Sequence, residues 1–258
     1  MHIERDDKPA ASFEKPAKPL GFKAYGSTPH LVGSRVGPGD YSLTAEQSAL
    51  FLGERHRMAD RHRKMDRIIV TEKIDGSCVS VARQDGKILA LQRAGYLAAT
   101  SPYALHHTFD RWVSARASLF MDLLDDDERL VGEWLHTAMG TRFEIADPDD
   151  LLAGFAMFGG RRRLPYDEFA QRTGRLGLRR AHLLSDGDGI SIDRALELLG
   201  ESGHHGALDG AEGAVWVMET NGEFNAIAKF VKADKVDGKY MGGITGGGDV
   251  VNYVGLPF

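Results

Sequence analysis

Lys73 is the residue on which chemistry can be built. It lies in Glu72-Lys73-Ile74-Asp75-Gly76-Ser77, a polar interruption of an alternating apolar stretch that runs from Arg67 to Arg93. A lysine amine attacks only when neutral, and a free lysine, with a pKa of about 10.4, is protonated at pH 7; burial and neighbouring cations lower that value. The pattern KxDG is weak by itself, because a lysine before an Asp-Gly bend also suits a solvated turn. It gains weight from two runs downstream, Glu212-Gly213-Ala214-Val215-Trp216-Val217 and Ala228-Lys229-Phe230-Val231-Lys232. Asn221-Gly222 between them is a two-residue turn signal that pairs Thr220 with Glu223 and, counting back, Ala214 with Lys229 and Glu212 with Val231. Opposed residues share a face, as do alternate residues of one strand, so Glu212 and Lys229 are expected to point the same way. Alone they make a salt bridge; beside Lys73 they make a phosphate and metal site.

Strands are needed to hold these groups. Ile68-Ile69-Val70, Ser77 to Arg83 and Lys87 to Arg93 read as three of them, the last two joined through Asp85-Gly86, a type I′ hairpin signal. Leu130 to Leu135 and Leu151 to Phe158 read as two more, the second preceded by the loop Asp147-Pro148-Asp149-Asp150. Apolar residues from Leu105 to Leu123 recur at spacings of three and four, which predicts one amphipathic helix over about 103–124, used for core packing. Phe169 falls in a short helix after Pro165, and Ser191 caps another that ends at Gly200. Thr44-Ala45-Glu46-Gln47 is a capping box that opens a helix. Strands with helices inserted between hairpins make the expected fold α+β, built on antiparallel sheets.

The order of Glu72 to Ser77, Leu130-Val131-Gly132-Glu133-Trp134-Leu135, Phe155-Ala156-Met157-Phe158 and the two downstream runs resembles the covalent nucleotidyltransferases, the superfamily of polynucleotide ligases and capping enzymes. Within it the chain is most similar to the ATP-dependent RNA ligase family, from about Tyr25 to Tyr240. The resemblance implies a ligase adenylation fold whose antiparallel sheets flank a nucleotide cleft. It implies ATP and Mg2+ or Mn2+ as cofactors, and RNA ends bearing a 5′-phosphate and a 3′-hydroxyl as partners. Lys73 corresponds to the nucleophile that carries AMP, with Glu72 and Ile74 near the adenine edge and Arg93 on phosphate, opposite Cys78 in the hairpin. Glu133 corresponds to the carboxylate on the ribose hydroxyls and Phe158 to the aromatic stacked on adenine. Glu212 corresponds to the residue nearest the metal and Lys229 to a ligand of the α-phosphate. Lys229, Lys232, Arg93 and the divalent ion are the expected cations that lower the Lys73 pKa.

Three departures qualify the correspondence. Gly159 stands where the family has aspartate, so Phe155 is a second candidate for the stacking ring. Lys229 and Lys232 are separated by two residues rather than one, so a regular strand puts Lys232 on the opposite face unless a bulge re-aims it. About 26 residues follow Lys232, among them five glycines between Gly242 and Gly248, too few for the additional C-terminal domain of many ligases. The alternatives are a DNA ligase, a GTP-dependent capping-type enzyme, or a non-catalytic end-binding repair subunit.

The 258 residues suit one nucleotidyltransferase domain over 21–258, after a tail or extension over 1–20 that holds three lysines and three prolines. Hydrophobic content of 42% and charged content of 27% are ordinary for a globular chain. Cys78 is the single cysteine, which excludes an internal disulfide and fits a reducing compartment, and no apolar run is long enough for a membrane span. Cytoplasm is the expected location. With a net charge of −5 the chain lacks an overall basic field, so RNA must meet local patches or a surface borrowed from a repair partner protein. The candidates are the run from Arg55 to Arg67, which a solvated helix face also explains, and Arg161-Arg162-Arg163. His30 and Arg35, in the turn-rich stretch after Tyr25, either touch phosphate or pack within a loop.

Overall fold

The computed structural model describes residues 16–53 and 66–256. The first 15 residues of the expected tail, and the basic run from Arg55 to Lys64, lie outside the described residues. Nine strands make two sheets, all antiparallel: β1 (Asp66–Lys73), β2 (Ser77–Gln84), β3 (Lys87–Gln92), β4 (Glu128–Trp134), β5 (Leu152–Gly159), β6 (Arg162–Arg163), β7 (Leu183–Gly187), β8 (Gly213–Thr220) and β9 (Glu223–Val231). One sheet has the order β7-β1-β8-β9 and the other β3-β2-β4-β5-β6. The bend at Ile74 to Gly76 carries the chain from the first sheet into the second. Lys73 thus ends one sheet where the other begins.

Period-two alternation gives each sheet its two faces. In the four-stranded sheet Ile68, Val70, Ala214, Trp216, Met218 and Ala228 join Leu31 and Phe51 in one core cluster. Their strand neighbours Ile69, Thr71, Lys73, Val215, Val217, Ile227 and Lys229 line the opposite face, which borders a cleft. The five-stranded sheet packs Val79, Val81, Leu130, Trp134 and Met157 against Leu105, Phe109 and Trp112. Its other face receives the segment from Leu20 to Ala24, where Arg129 Nε donates to Ala24 O at 2.8 Å.

The expected helix over 103–124 is two helices, Ala104–Ser114 and Ala117–Leu123, broken at Ala115 and Arg116. Arg116 leaves helical geometry, with its guanidinium over the Trp112 ring and its Nε on Asp149. Apolar spacing does not register such a break, because Trp112, Phe120 and Leu123 stay on the core side across it. The Thr44 capping box forms, but its helix is the single turn Ala45–Ser48. The glycine-rich stretch after Lys232 docks through Ala138 N to Val250 O at 2.9 Å and Asn252 Nδ2 to Leu135 O at 2.7 Å. Among the described residues no helix is long and apolar enough to cross a membrane.

Asn221 and Gly222 both take positive φ, as a type I′ turn requires, and Thr220 faces Glu223. The register then slips: Glu219 pairs with Phe224 but Met218 pairs with Ala226, leaving Asn225 as an extra residue on β9. Lys229 therefore faces Val215 rather than Ala214, and Val231 faces Gly213 rather than Glu212. Gly213 is required there, since a Cβ on it would lie 1.9 Å from Phe230 O. Gly213→Ala is expected to cost about 2 kcal/mol by forcing β8 from β9, seen as a melting temperature lower by roughly 4–8 °C. An unchanged melting temperature would show that the two strands separate there without cost.

Candidate active site

The cleft lies between the two sheets and encloses about 900 Å³ including its open mouth. Thr71, Lys73, Val215 and Lys229 line it from the four-stranded sheet, and Cys78, Glu133 and Phe155 from the other. Lys73 reaches this position because alternation along β1 turns it, with Ile69 and Thr71, to the cleft face. Gly76 lets the following turn close on β4, since a Cβ there would lie 3.0 Å from Trp134 O and 2.8 Å from the Leu135 side chain.

Lys73 Nζ donates to Glu212 Oε2 at 2.6 Å. Burial pulls the Lys73 pKa down, but the negative charges of Glu212, Glu133 and Asp75 outweigh it and hold the ammonium form well above the ordinary lysine range. Among the protein's own groups, carboxylates rather than the expected Lys229, Lys232 and Arg93 dominate the charge around Lys73. Glu212 reaches it from just outside β8, because Gly213 pairs directly with Lys73. Lys229 Nζ instead bonds Asp40 Oδ2 at 2.8 Å, the oxygen that His30 Nε2 also contacts at 2.8 Å. The slipped register thus separates Glu212 and Lys229, which have different partners. Lys232 leaves the cleft wall, and its ammonium, like that of Lys235, approaches Gly210.

Burial is the main cause of the raised carboxyl pKa values near Lys73. The Glu133 pKa rises to about 8, with Lys73 opposing and Glu212 and Asp75 adding to the shift. That of Asp75 rises to about 7, and its Oδ2 accepts from Gly140 N at 3.0 Å. Glu133 Oε2 is buried without any hydrogen-bond partner among the described residues. Such an acceptor leaves room for a donor from a ligand, since native proteins seldom leave buried polar atoms unpaired.

Glu72 contributes to the cleft wall while its carboxylate turns away to accept from His204 N at 2.9 Å. Ile74 is buried at the wall and Arg93 lines it, with its Nη2 donating to Gly26 O at 2.9 Å. Phe158 does not line this cleft; it borders a neighbouring cavity, with the Arg129 guanidinium 4.2 Å from its ring centroid. Phe155 lines the cleft in its place. A bulge is the reason: Val131 pairs with Ala156 and Gly132 with Gly154, so Phe155 is the unpaired residue and is re-aimed.

The three arginines do not form one patch. Arg162 pairs with Glu223 at 3.0 Å, Arg161 lies over Phe22, and Arg163 is buried, donating to Phe155 O and lining the cleft. Alternation through β6 sends neighbours to opposite sides. Arg35 pairs with Asp237. Tyr25, Thr28 and Thr71 also line the cleft. Thr71 was legible by counting two residues back from Lys73; Tyr25 and Thr28 had no local signal, because their segment is laid over both sheets by tertiary contacts.

Two antiparallel sheets facing across a lysine-bearing cleft make a mixed α/β fold. The sequence profile for RNA ligase matches residues 66–231, well over half of the chain, and the chain belongs to the RNA ligase family. A search of curated protein sequences found no match. Among solved structures the chain is similar to Naegleria gruberi RNA ligase with PPi, at 20% identity and a TM-score of 0.45, covering 66% of this chain and 50% of that one. A mutant of that ligase with AMP and Mn aligns at 16% identity and a TM-score of 0.48, covering 82% and 61%. An archaeal ATP-dependent RNA ligase aligns at 21% identity and a TM-score of 0.43, covering 65% and 43%. The chain spans about half the length of the first of these relatives.

Proposed function

We propose that this chain is an ATP-dependent RNA ligase in which Lys73 carries AMP. The observation that carries the reading is the lysine amine in the cleft beside Glu133, whose buried Oε2 lacks a partner among the described residues. That oxygen fits the ribose hydroxyls, which supply the missing donors. Phe155 offers an apolar ring for the base, and Lys229 and Arg93 supply charge for phosphates from the two sides.

In the first step neutral Lys73 Nζ attacks the α-phosphorus of ATP; an N–P bond forms, the bond to pyrophosphate breaks, and the amine proton passes to solvent or a nearby carboxylate. An oxygen of the RNA 5′-phosphate then attacks the same phosphorus, the N–P bond breaks, and Lys73 takes up a proton at Nζ from solvent or a nearby carboxyl and departs as an amine. Finally a 3′-hydroxyl attacks the RNA 5′-phosphorus, forming the phosphodiester and releasing AMP with the hydroxyl proton. Glu212 and Asp75 are the residues suited to a divalent ion. Among the described residues no group of three His, Cys, Asp or Glu converges to hold a metal unaided, which agrees with magnesium held by about one or two carboxylates plus substrate phosphates. When bound, that ion offsets phosphate charge and weakens the hold of the carboxylates on the Lys73 proton.

Raised pKa values at Lys73, Glu133 and Asp75 give this step a direction with pH. Raising the pH frees more of the amine, while ionisation of the two carboxylates, through about 7 and about 8, holds its proton more tightly. The single-turnover rate of AMP adduct formation at fixed ATP and magnesium is expected to climb from pH 6.5 to 9, about tenfold per unit at the acid end. A rate flat across that range would contradict a protonated resting lysine. The test of the function itself is the intact mass after incubation with ATP and magnesium, compared with GTP and NAD, from protein first freed of any AMP carried from expression. An AMP adduct from ATP supports the reading; an adduct from GTP alone moves it to capping chemistry, and no adduct leaves end binding without catalysis.

A further inference from the structure

Beside the cleft lies a second cavity whose wall holds Lys23, Arg129, Arg161 and Arg163 and, among the described residues, no carboxylate. Tyr25, Thr28, Arg163 and Ile227 line both, so the two cavities adjoin. The four cations come from three parts of the chain, and the three arginines lie over aromatic rings. The Arg129 guanidinium lies 4.2 Å from the Phe158 centroid, that of Arg161 4.2 Å from Phe22, and that of Arg163 5.3 Å from Phe224. Arg129 and Arg163 are buried and spend donors on backbone carbonyls of Ala24, Gly160 and Phe155. Burial, with the Arg161 charge adding to it, lowers the Arg129 pKa to about 10, as expected where positive charge gathers. Arg161 is exposed, and a guanidinium stacked on a ring keeps its edge N–H groups free for an anion.

Positive groups interleaved with aromatic faces suit a single nucleic-acid strand, with phosphate on the cations and bases against the rings. We infer that this cavity receives the first nucleotides of the unpaired, 5′-phosphorylated RNA strand, and so directs its end to the phosphorus carried on Lys73. The inference rests on the ligase reading for that last clause, while strand binding can be measured without it.

The test uses the full chain and a fluorescent 5′-phosphorylated oligoribonucleotide, with binding followed by anisotropy over a range of salt. Arg161→Ala with Lys23→Ala removes two exposed groups outside the Lys73 cleft. The expected result is a Kd raised at least tenfold and a log Kd against log salt slope shallower by about 1, since each phosphate contact on a single strand contributes about 0.7. Arg162→Ala, which loses only its pair with Glu223, is expected to bind as the unaltered protein does. Unchanged binding in the double variant, an equal loss in Arg162→Ala, or equal affinity for a blunt RNA duplex each overturns the inference. The AMP adduct is scored in the same samples. Its loss from every protein, unaltered included, is a failure of the ligase reading, whereas a retained adduct with unchanged RNA binding is a failure of this one.

Discussion

Lys73→Ala incubated with ATP and magnesium is expected to keep its unmodified mass, while the unaltered protein gains one AMP. The effect is all or none because covalent transfer needs an amine at that point. The cleft wall holds two lysines, and Lys229 is tied to Asp40 at 2.8 Å on β9, with its own partner and its own orientation. Lys73 stands instead where β1 ends, with Glu212 on its Nζ and Glu133 in the same wall. The variant should remain folded, since removing the ammonium leaves Glu212 and its neighbours free to take up protons. It should also still bind ATP, measured by fluorescence or calorimetry. Should the variant form an adduct, the nucleophile is another group, and peptide mapping of the adduct will identify it.

Glu133→Gln is expected to make the protein more stable and a poorer user of ATP. Burial raises the Glu133 pKa from 4.5 to about 8. A group whose pKa is raised on folding favours the folded state below its unfolded pKa, and that contribution is lost as pH rises through the folded value. The carboxyl thus costs nothing below pH 4.5, costs progressively more up to about pH 8, and costs a constant amount beyond. Glutamine removes the cost. At pH 8 the gain should be on the order of 2 kcal/mol, or roughly 4–8 °C in melting temperature, and it should vanish near pH 4.5. Against that, a charge-assisted hydrogen bond is worth about 1.5–3 kcal/mol, so kcat/KM for ATP should fall roughly 10- to 100-fold. A variant less stable at pH 8 than the unaltered protein would show that Glu133 is held by a favourable partner. Gain of stability without loss of ATP use would remove it from the nucleotide site.

For RNA, Arg161 to Arg163 is not one patch, because Arg163 is buried in the cleft wall. Of the four cations on the adjoining cavity, Arg161 and Lys23 are the exposed ones.

Period-two apolar patterns and turn chemistry are local, and the sequence by itself determined what depends on them. Asp85-Gly86 and Asn221-Gly222 fixed two hairpins, whereas the structure extends the strand expected at Ile68 to Val70 through Lys73, which the sequence had placed at a bend. The order of Lys73, Glu133, Glu212 and Lys229 carried the family, which the profile match over 66–231 establishes. Tertiary structure decided what depends on one extra residue or on contacts distant in sequence. Asn225 and Phe155 each occupy a bulge, and a one-residue bulge leaves no mark in composition yet shifts every side chain before or after it. That is why Lys229 faces Val215, and why Phe155 rather than Phe158 lines the cleft. The charge around Lys73 was likewise beyond the sequence: Asp75 and Glu212, 137 positions apart in number, converge on one amine only because β1 and β8 pair and the chain turns at Gly76 into the second sheet.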